Sequence, residues 1–505
     1  MLLSRSSGIL LHPTSFPSPF GIGDLGQEAY NFVNFLKNSG QKIWQVLPLG
    51  PTGFGNSPYQ AYSAMAGNPL LISPDKLKDE GWLSEEDFSN IPEFPRDKVD
   101  FDSVAQVKSS LLKTAYQNFQ KYASEEKKET FNQFSNSKAF WLDDYAFYMA
   151  LKEAHEGASW HTWDQDIAHR QPQALAEWQQ RLADKIQYHK FLQYLFFQQW
   201  DQLKSYANQQ GIKIFGDVPI YVAHDSADVW SHPEIFSLDS QTSEPSLMAG
   251  VPPDYFSETG QLWGNPVYQW DKLEQEDFFW WVQRIQSMLD IVDLIRIDHF
   301  LGLVSYWAVP QGETTAKNGT WITAPGRAFF KTIKEKLGKL PVIAEDLGVI
   351  TTEVEQLRDQ FEFPGMKILH FAFDSGSDNL YLPCNYNSAN WVVYTGTHDN
   401  NTTVGWFNKR SPQEQERVYR FVGSSWGHGI HWDLIRLAMS SVAYMAIFPL
   451  QDILGLGEEA IMNQPGVPDG NWSWRYRSEM LTSDISDRLK EVTDIYGRTP
   501  TNNED

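Results

Sequence analysis

The stretch VDLIRIDHF, residues 292–300, shows the pattern that decides the fold: apolar residues dominate it without strict alternation, and it ends near Asp298 and His299. Continuous rather than alternating hydrophobicity is typical of parallel strands that are buried on both faces. Eight β-runs with helical patterns between them predict an α/β fold, a (β/α)8 barrel, because a doubly wound open sheet commonly has about five or six strands. Besides 292–300, the runs are 8–13, 42–49, 212–220, 341–348, 366–374, 391–400 and 443–452.

The segments between the runs carry helical signals. Residues 276–291 form a helical pattern that leads into the run at 292–300, and a helix opened by Pro325 is predicted to end at Gly338. After the first run, Asp24 is predicted to cap a helix that ends at Gly40, because Gln27 follows three residues later.

The uneven spacing of the runs predicts insertions in a single barrel that spans residues 1–505. A mostly helical insertion is expected at 74–205, between the second and third runs. A second one is expected at 224–275, between the third and fourth runs. Neither a repeat nor a low-complexity tract occurs, apart from the polar end at 501–505.

Composition excludes several classes of protein. With 41 Lys and Arg against 64 Asp and Glu, the net charge is −23, so a nucleic-acid partner is not expected. No apolar run approaches the roughly 18 residues that a membrane span needs, and the N-terminus lacks a secretory pattern. Cys384 is a single cysteine and cannot form an intrachain disulfide. We therefore expect a soluble, cytoplasmic protein, and the charge slightly favours a monomer.

Charged side chains lie near the ends of the predicted strands. In a parallel barrel the C-terminal strand ends converge on one face, where reacting groups collect. Each acid alone could merely cap the following helix, but several convergent acids with only Arg and His beside them favour a functional site. The strand-end residues are Asp217, Arg296, Asp298, His299, Glu345, Asp346, Asp374, His398 and Asp399.

Three chemistries could use such a cluster. A metal site would need more His or Cys at ligand spacing, and neither HExxH nor CxxC occurs. Phosphate chemistry would need a Gly-rich loop of the Walker type, which is also absent. Glycosyl transfer needs two carboxyl groups about 5–5.5 Å apart, one ionised and one protonated, and this requirement fits best.

Aromatic residues in polar, turn-rich segments point to the same chemistry. They occur at 57–63, 230–236, 253–270 and 471–476. Sugar rings stack their C–H faces on aromatic planes, so loop aromatics can line a saccharide groove. Many of the aromatics pack the barrel, but Tyr59, Tyr255 and Trp263 are flanked by Ser, Pro, Gly and Asp, and a binding role is favoured for these three.

Nine motifs in order resemble the amylomaltases, the 4-α-glucanotransferases also called disproportionating enzymes, which are relatives of the α-amylases. The resemblance covers the chain essentially from end to end and implies a (β/α)8 barrel. The motifs are SSGILLHPTSFPSPFGIGDLG, WQVLPLGPTGFGNSPYQAYSAMAGNP, FGDVPIYV, AGVPPDYFSETGQLWGNP, LIRIDHFLGL, VIAEDLG, MKILHFAFD, YTGTHDNNT and PLQDILGLGEEAIMNQPG.

The resemblance implies a retaining, two-step transfer of an α-1,4-glucan segment. Asp298 would be the nucleophile, Glu345 the general acid and then the base, and Asp399 would hold the 2- and 3-hydroxyls of the reacting sugar. Arg296 would keep Asp298 ionised, since it lies two residues back on the same strand face.

The resemblance also implies a set of substrate-binding residues. His398 and Asp217 would grip the reacting sugar, Tyr59 would stack on it, and Asp374 would hold a neighbouring sugar. A loop at 247–264 would cover the cleft and place Trp263 against the glucan. The remaining members of this set are Ser57, Asp254, Tyr255, Gln261 and Asn463.

The expected partners are α-1,4-glucans and malto-oligosaccharides as donors, and glucose or malto-oligosaccharides as acceptors. Starch or glycogen metabolism is the expected setting, cyclic glucans are possible products, and neither a cofactor nor a metal is expected. Two other functions stay open: an α-1,4-glucan hydrolase of the α-amylase type, with water as acceptor, and a non-catalytic glucan-binding protein.

Overall fold

The computed structural model describes residues 4–253, 257–348, 350–423, 428–467 and 469–499. Within these ranges the chain forms two sheets and the helices around them. The strands, in chain order, are β1 Ser6–Leu10, β2 Ile43–Gln45, β3 Lys213–Val218, β4 Leu247–Val251, β5 Gln261–Pro266, β6 Leu294–Ile297, β7 Ser305–Pro310, β8 Thr320–Thr323, β9 Val342–Ala344, β10 Gly365–Ile368, β11 Trp391–Tyr394 and β12 Met445–Pro449.

Eight of these strands form a parallel barrel in the order β10-β11-β12-β1-β2-β3-β6-β9. The backbone N–H of Ala344, at the end of β9, donates to the carbonyl of Pro364, just before β10, at 2.8 Å, and links the first and last strands. Each barrel strand coincides with one of the eight apolar runs, so the predicted (β/α)8 barrel is confirmed. The strands are almost wholly buried, as parallel strands covered on both faces must be.

The helices lie mostly between the strands. The long α8 packs against α5, and both belong to the helical stretch between β2 and β3. The helices are α1 Gln27–Asn38, α2 Pro74–Asp79, α3 Phe101–Tyr122, α4 Glu125–Ser137, α5 Ala139–Ala154, α6 Gln165–Ala168, α7 Pro172–Arg181, α8 Ala183–Gln209, α9 Ala227–Ser231, α10 Trp270–Gln275, α11 Phe279–Ile291, α12 Gly326–Leu337, α13 Thr352–Gln360, α14 Thr403–Asn408, α15 Pro412–Val422, α16 Ile430–Ser440, α17 Leu450–Ile453 and α18 Ser483–Ile495.

All three helix signals correspond to observed helices, and the one predicted to end at Gly40 is α1. The pattern at 276–291 becomes α11, and α12 follows Pro325 and ends at Gly338, whose φ of 79° is the left-handed conformation that glycine adopts readily. The capping prediction for Asp24 is wrong. Helix α1 follows Gly26, and the Asp24 carboxylate instead accepts the Gly26 N–H at 2.9 Å and lies 3.4 Å from the buried Lys108 ammonium. The helix begins two residues later than the predicted cap requires, so the carboxylate binds the turn before the helix and not an N–H of its first turn.

The second sheet has antiparallel pairings in the order β5-β4-β7-β8, and the sequence runs did not indicate it. Its strands are only partly buried, so they lack the continuous hydrophobicity that marks the barrel strands. β4 and β5 follow β3 in the chain, while β7 and β8 follow β6. The sheet therefore lies against the side of the barrel where β3 and β6 end.

In the described part of the chain, none of the helices combines the length and the apolar character that crossing a bilayer requires.

Arg498, which is fully buried, binds the last described residues to the barrel. Its guanidinium donates to the carbonyls of Ser6 at 2.9 Å, Met439 at 2.9 Å and Ala443 at 3.1 Å. These contacts join α16, the loop before β12 and the start of β1.

We predict that Arg498→Ala lowers the free energy of unfolding by at least about 3 kcal/mol, because each buried carbonyl left without a donor costs about 1–3 kcal/mol. Arg420→Ala is the matched control. That side chain is 78% exposed and pairs with Glu416, one helical turn away, so its loss is expected to cost less than about 1 kcal/mol. Urea denaturation of both variants measures the difference, and equal midpoints for the two would contradict the prediction.

Candidate active site

The C-terminal ends of β3, β6, β9 and β11 bring four of the predicted acids to one face of the barrel. Asp217 lies within β3 and pairs in register with Arg296 on the neighbouring β6. Asp298 follows β6 directly, and its backbone N–H donates to the carbonyl of Val218 at 3.0 Å. Glu345 follows β9, and its N–H donates to the carbonyl of Ile297 at 3.0 Å, so neighbouring strands fix the acids at their ends.

Arg296 holds two of these acids. Its guanidinium lies 2.5 Å from Asp217 Oδ2 and 2.8 Å from Asp298 Oδ1, and its side chain is only 5% exposed. Burial alone would lower the pKa of Arg296, but the charges of Asp217 and Asp298 raise it well above its ordinary value. The guanidinium is therefore permanently charged. Burial raises the pKa of Asp217, and the charge of Arg296 opposes that shift.

Glu345 lies in a different environment. Burial and the nearby charge of Asp298 raise the pKa of Glu345 to about 8, although Arg296 and a hydrogen bond from the His299 N–H oppose the shift. At neutral pH this carboxyl group therefore carries a proton. The His299 N–H donates to Oε2 at 2.6 Å, which leaves Oε1 to carry that proton.

The backbone at His299 is bent so that this contact can form. Its φ of 51° places it in the left-handed region, which is uncommon for a residue other than glycine. The edge of the His299 ring meets Trp263 on β5, with ring centroids 4.9 Å apart. Trp263 therefore reaches from the second sheet to the residue that follows Asp298.

Asp399 is held by one hydrogen bond and lies beside an imidazole. Asn463 Nδ2 donates to its Oδ1 at 2.6 Å, and His398 Nε2 lies 3.2 Å from its Oδ2. Burial would raise the pKa of Asp399, but His398 and Asn463 lower it to about 2. Asp399 is therefore ionised at every pH at which the protein is expected to work.

Tyr59 connects Asp399 and His398 to Asp217. Its hydroxyl donates to Asp217 Oδ2 at 2.6 Å, and burial keeps the pKa of Tyr59 well above 10. Because its one proton is used in this way, the Tyr59 oxygen accepts from His398 Nε2 at 2.9 Å. The two rings stack with centroids 5.3 Å apart and planes 12° apart, so the Tyr59 ring is fixed in position.

Comparisons with known proteins identify the family of the chain. A family model described as 4-alpha-glucanotransferase matches residues 11–482. The chain belongs to this family.

Relatives and solved structures of this kind cover the whole chain. The chain is 57% identical to a 4-alpha-glucanotransferase of Synechocystis sp., over 99% of both chains. It is 49% identical to a 4-alpha-glucanotransferase of Thermus thermophilus, over 99% of this chain and 100% of the relative. The fold matches the amylomaltase from Streptococcus agalactiae in complex with acarbose, with a TM-score of 0.95, 42% identity and coverage of 98% of this chain and 99% of that one.

Membership of this family confirms the resemblance drawn from the nine motifs, but some predicted site residues lie apart from the central cluster. Asp374 pairs with Arg410 at 2.5 Å, and its described contacts do not reach Asp298, Glu345 or Asp399. Asp346, next to Glu345 in the chain, points away and braces the scaffold: it pairs with Arg358 at 2.5 Å.

Two polar side chains form hydrogen bonds with the aromatic residues Tyr59 and Trp263. Ser57 Oγ accepts the backbone N–H of Tyr59 at 3.2 Å, and Gln261 Oε1 accepts the indole N–H of Trp263 at 3.2 Å. Asp254 and Tyr255 were also predicted to bind substrate, and both lie outside the described residues.

Two residues near the cluster were not predicted from the sequence to belong to the site. Trp472, with a φ of 64°, packs beside both stacked rings, 5.8 Å from Tyr59 and 6.0 Å from His398. His12 follows β1 and is almost fully buried, and burial together with His398 lowers its pKa to about 3. The strand-end rule that selected the acids would also have selected His12, had it been applied to the first run.

The described residues contain no group of three or more His, Cys, Asp or Glu side chains placed to hold a metal ion. The arrangement instead places the carboxylate of Asp298, paired with Arg296, beside the carboxyl group of Glu345, whose pKa is raised. A carboxylate held by a guanidinium next to a carboxyl group that keeps its proton is suited to a nucleophile and an acid working together.

We predict that kcat/KM falls as the pH rises through about 8, because Glu345 loses its proton there. A pH profile with maltotriose as donor measures this alkaline limb. A donor such as α-maltosyl fluoride, whose leaving group needs no protonation, should show a weaker limb in the first step. A limb of equal steepness for both donors would mean that a group other than Glu345 produces it.

Proposed function

We propose that the protein transfers a segment of an α-1,4-glucan to the 4-hydroxyl of glucose or of a malto-oligosaccharide, by a retaining double displacement. The observation that carries this proposal is the contrast between Asp298, held 2.8 Å from Arg296, and Glu345, protonated at neutral pH. Retaining glycosyl transfer needs this division between an ionised and a protonated carboxyl group.

In the first step, Asp298 attacks the anomeric carbon of the donor. A carboxylate–carbon bond forms as the glycosidic bond breaks, and Glu345 gives its proton to the leaving oxygen. Arg296 keeps Asp298 charged until the attack, while the His299 N–H orients the Glu345 carboxyl group. The first product, a shortened glucan, then leaves.

In the second step, Glu345 is a carboxylate and acts as a base. It takes the proton of the acceptor 4-hydroxyl, whose oxygen attacks the anomeric carbon and displaces Asp298. Two inversions at that carbon retain the α configuration. Glu345 returns to its protonated form, so protons balance over the cycle.

Asp399, His398, Tyr59 and Asp217 bind the reacting sugar in this proposal. Asp399 is ionised and held by Asn463, so its carboxylate can accept hydrogen bonds from two neighbouring hydroxyls. Such bonds strengthen as positive charge develops on the sugar ring, which favours the transition state over the ground state. Tyr59 supplies a stacking face fixed by its contacts with Asp217 and His398.

We attribute the preference for transfer over hydrolysis to Trp263 and the strand β5 that carries it. The indole reaches His299, next to Asp298, so the segment around β4 and β5 covers the site from one side. An apolar cover reduces the access of water and offers a stacking face to an acceptor sugar. The amylase-type hydrolase is therefore the less favoured alternative, and the ionised and protonated carboxyl pair argues against a purely binding protein.

Further properties belong to the same proposal. The donors are α-1,4-glucans and malto-oligosaccharides in the cytoplasm, Asp374 and Gln261 contact sugars beyond the reacting one, and cyclic glucans are a possible product. The charge of −23 favours a monomer without a nucleic-acid or membrane partner. The segment at 224–275 is proposed to act as the insertion that carries the covering loop.

We predict that incubation with maltotriose alone gives glucose together with maltopentaose and longer products. A hydrolase would give only glucose and maltose, because water would take every glycosyl group. Chromatography of the products over time separates the two results. Release of reducing ends in proportion to donor consumed would overturn the transferase proposal.

We predict that Glu345→Gln lowers kcat for maltotriose by about 10²–10⁴-fold with little change in substrate binding, since it removes the proton transfer and keeps the shape. With α-maltosyl fluoride the first step should recover most of its rate, because fluoride leaves without a proton.

Asp298→Asn should lose the activity with both donors, since no donor bypasses the nucleophile. Glu335→Gln, on the exposed side of α12, is the matched control and should keep the wild-type kcat. Full turnover by Asp298→Asn would show that Asp298 is not the nucleophile.

A further inference from the structure

Asp452 is a buried carboxylate that the proposed reaction does not use. It lies in α17, immediately after β12, and its residue is 1% exposed. Its hydrogen bonds in the described structure come from hydroxyl and amide donors, and none comes from Lys or Arg. A buried carboxylate without a cation is costly, so these donors are what stabilises it.

The partners of Asp452 lie at the two ends of one short segment. Thr395, the residue after β11, donates its hydroxyl to Asp452 Oδ2 at 2.5 Å. Thr403, the first residue of α14, donates its backbone N–H to Oδ1 at 2.7 Å and its hydroxyl to Oδ2 at 2.8 Å. The carboxylate thus joins the two ends of the segment 396–402, which carries His398 and Asp399.

His370 supports this junction from the other side. Its backbone N–H donates to the Thr395 carbonyl at 3.1 Å, and its Nε2 lies 3.0 Å from the Thr403 hydroxyl oxygen. Because the Thr403 hydroxyl proton is directed to Asp452, His370 Nε2 is the donor in this contact. Burial lowers the pKa of His370 to about 3, and its ring stacks on Trp406 at 4.6 Å. His370 is therefore a neutral, fixed donor rather than a counter-ion.

Other hydrogen bonds of the segment 396–402 form within it or come from Asn463, on the side of Asp399. Asn400 Oδ1 accepts the Thr397 N–H at 2.8 Å, and Asn463 holds both the His398 carbonyl, at 3.0 Å, and the Asp399 carboxylate, at 2.6 Å. Asn463 fixes the segment on the substrate side. Asp452 fixes its two ends on the scaffold side.

We propose that Asp452 is a positioning residue that sets the place of Asp399 and His398 against the reacting sugar by pinning both ends of residues 396–402. It acts through the segment and not on the substrate. The inference rests on the proposed role of Asp399 in the reaction.

The central experiment is a double-mutant cycle between Asp452→Asn and Asp399→Asn, with α-maltosyl fluoride as donor so that the slow variants give measurable rates. In the wild-type background Asp452→Asn is expected to lower kcat by about 10–100-fold, because a displacement of about 1 Å of a positioned group can cost 10²-fold. KM should change by less than about threefold. In the Asp399→Asn background the same substitution should lower kcat by less than about threefold, since coupled residues are not additive.

Equal losses in the two backgrounds would overturn the positioning role and leave the proposed function intact. Full activity of Asp399→Asn would instead contradict the proposed role of Asp399. The two failures are therefore distinguishable.

A second pair of variants decides the question if Asp452→Asn does not fold. Thr395→Val removes the hydroxyl with almost no change of shape and should lower kcat, whereas Thr395→Ser keeps the hydroxyl and should restore most of it. Equal kcat for Val and Ser would overturn the proposal.

Asp24→Asn is the control for a general loss of stability. Asp24 is a buried carboxylate that accepts the Gly26 N–H and lies beside Lys108. Its substitution should lower the melting temperature while kcat stays at the wild-type value. A fall in kcat as large as that of Asp452→Asn would show that stability alone explains the effect.

Discussion

The buried guanidinium of Arg296 is the constraint on which the site depends. It lies between Asp217 and Asp298, at 2.5 Å and 2.8 Å, and so holds the charges of two carboxylates that would otherwise repel each other in a poorly hydrated place. The same charge pattern acts on Glu345: the ionised Asp298 disfavours a further negative charge, and burial raises the pKa of Glu345 in the same direction. One fixed cation thus lets a carboxylate paired with a guanidinium lie beside a carboxyl group that keeps its proton, as the proposed reaction requires.

The barrel supplies the geometry that this electrostatic arrangement needs. Parallel pairing places Asp217 and Arg296 in register on β3 and β6, and backbone hydrogen bonds tie Asp298 and Glu345 to the neighbouring strand ends. Positions set by strand pairing are rigid, and rigidity matters because a preorganised site does not spend free energy on reorganisation during the reaction. Tyr59 and His398 come from loops, and their stacking and shared hydrogen bonds provide the order that a strand would otherwise give.

The sequence predicts the part of this molecule that follows from hydrophobic periodicity. All eight barrel strands could be found because each is buried on both faces and therefore continuously apolar. The sheet formed by β4, β5, β7 and β8 could not, since its strands are partly exposed and therefore not continuously apolar. Asp24 and Asp374 show the limit for single residues. A capping position or a strand end predicts where a carboxylate lies in the chain. The cation that pairs with it, Lys108 or Arg410, comes from a distant segment and is not predicted.

The same limit applies to the residues that hold the site in place. Position in the sequence does not separate Asp298, Glu345 and Asp399 from Asp452. The carboxylate of Asp452 also follows a barrel strand, in α17 after β12, at the end of the run at 443–452. Its significance appears only when Thr395 and Thr403 are seen to meet on its carboxylate. A segment as short as 396–402 has few side chains of its own to fix it, so hydrogen bonds at its two ends determine where Asp399 lies. Because both ends of the segment bind the same carboxylate, a shift of one end is restricted by the other. Two separate partners would not couple the ends in this way.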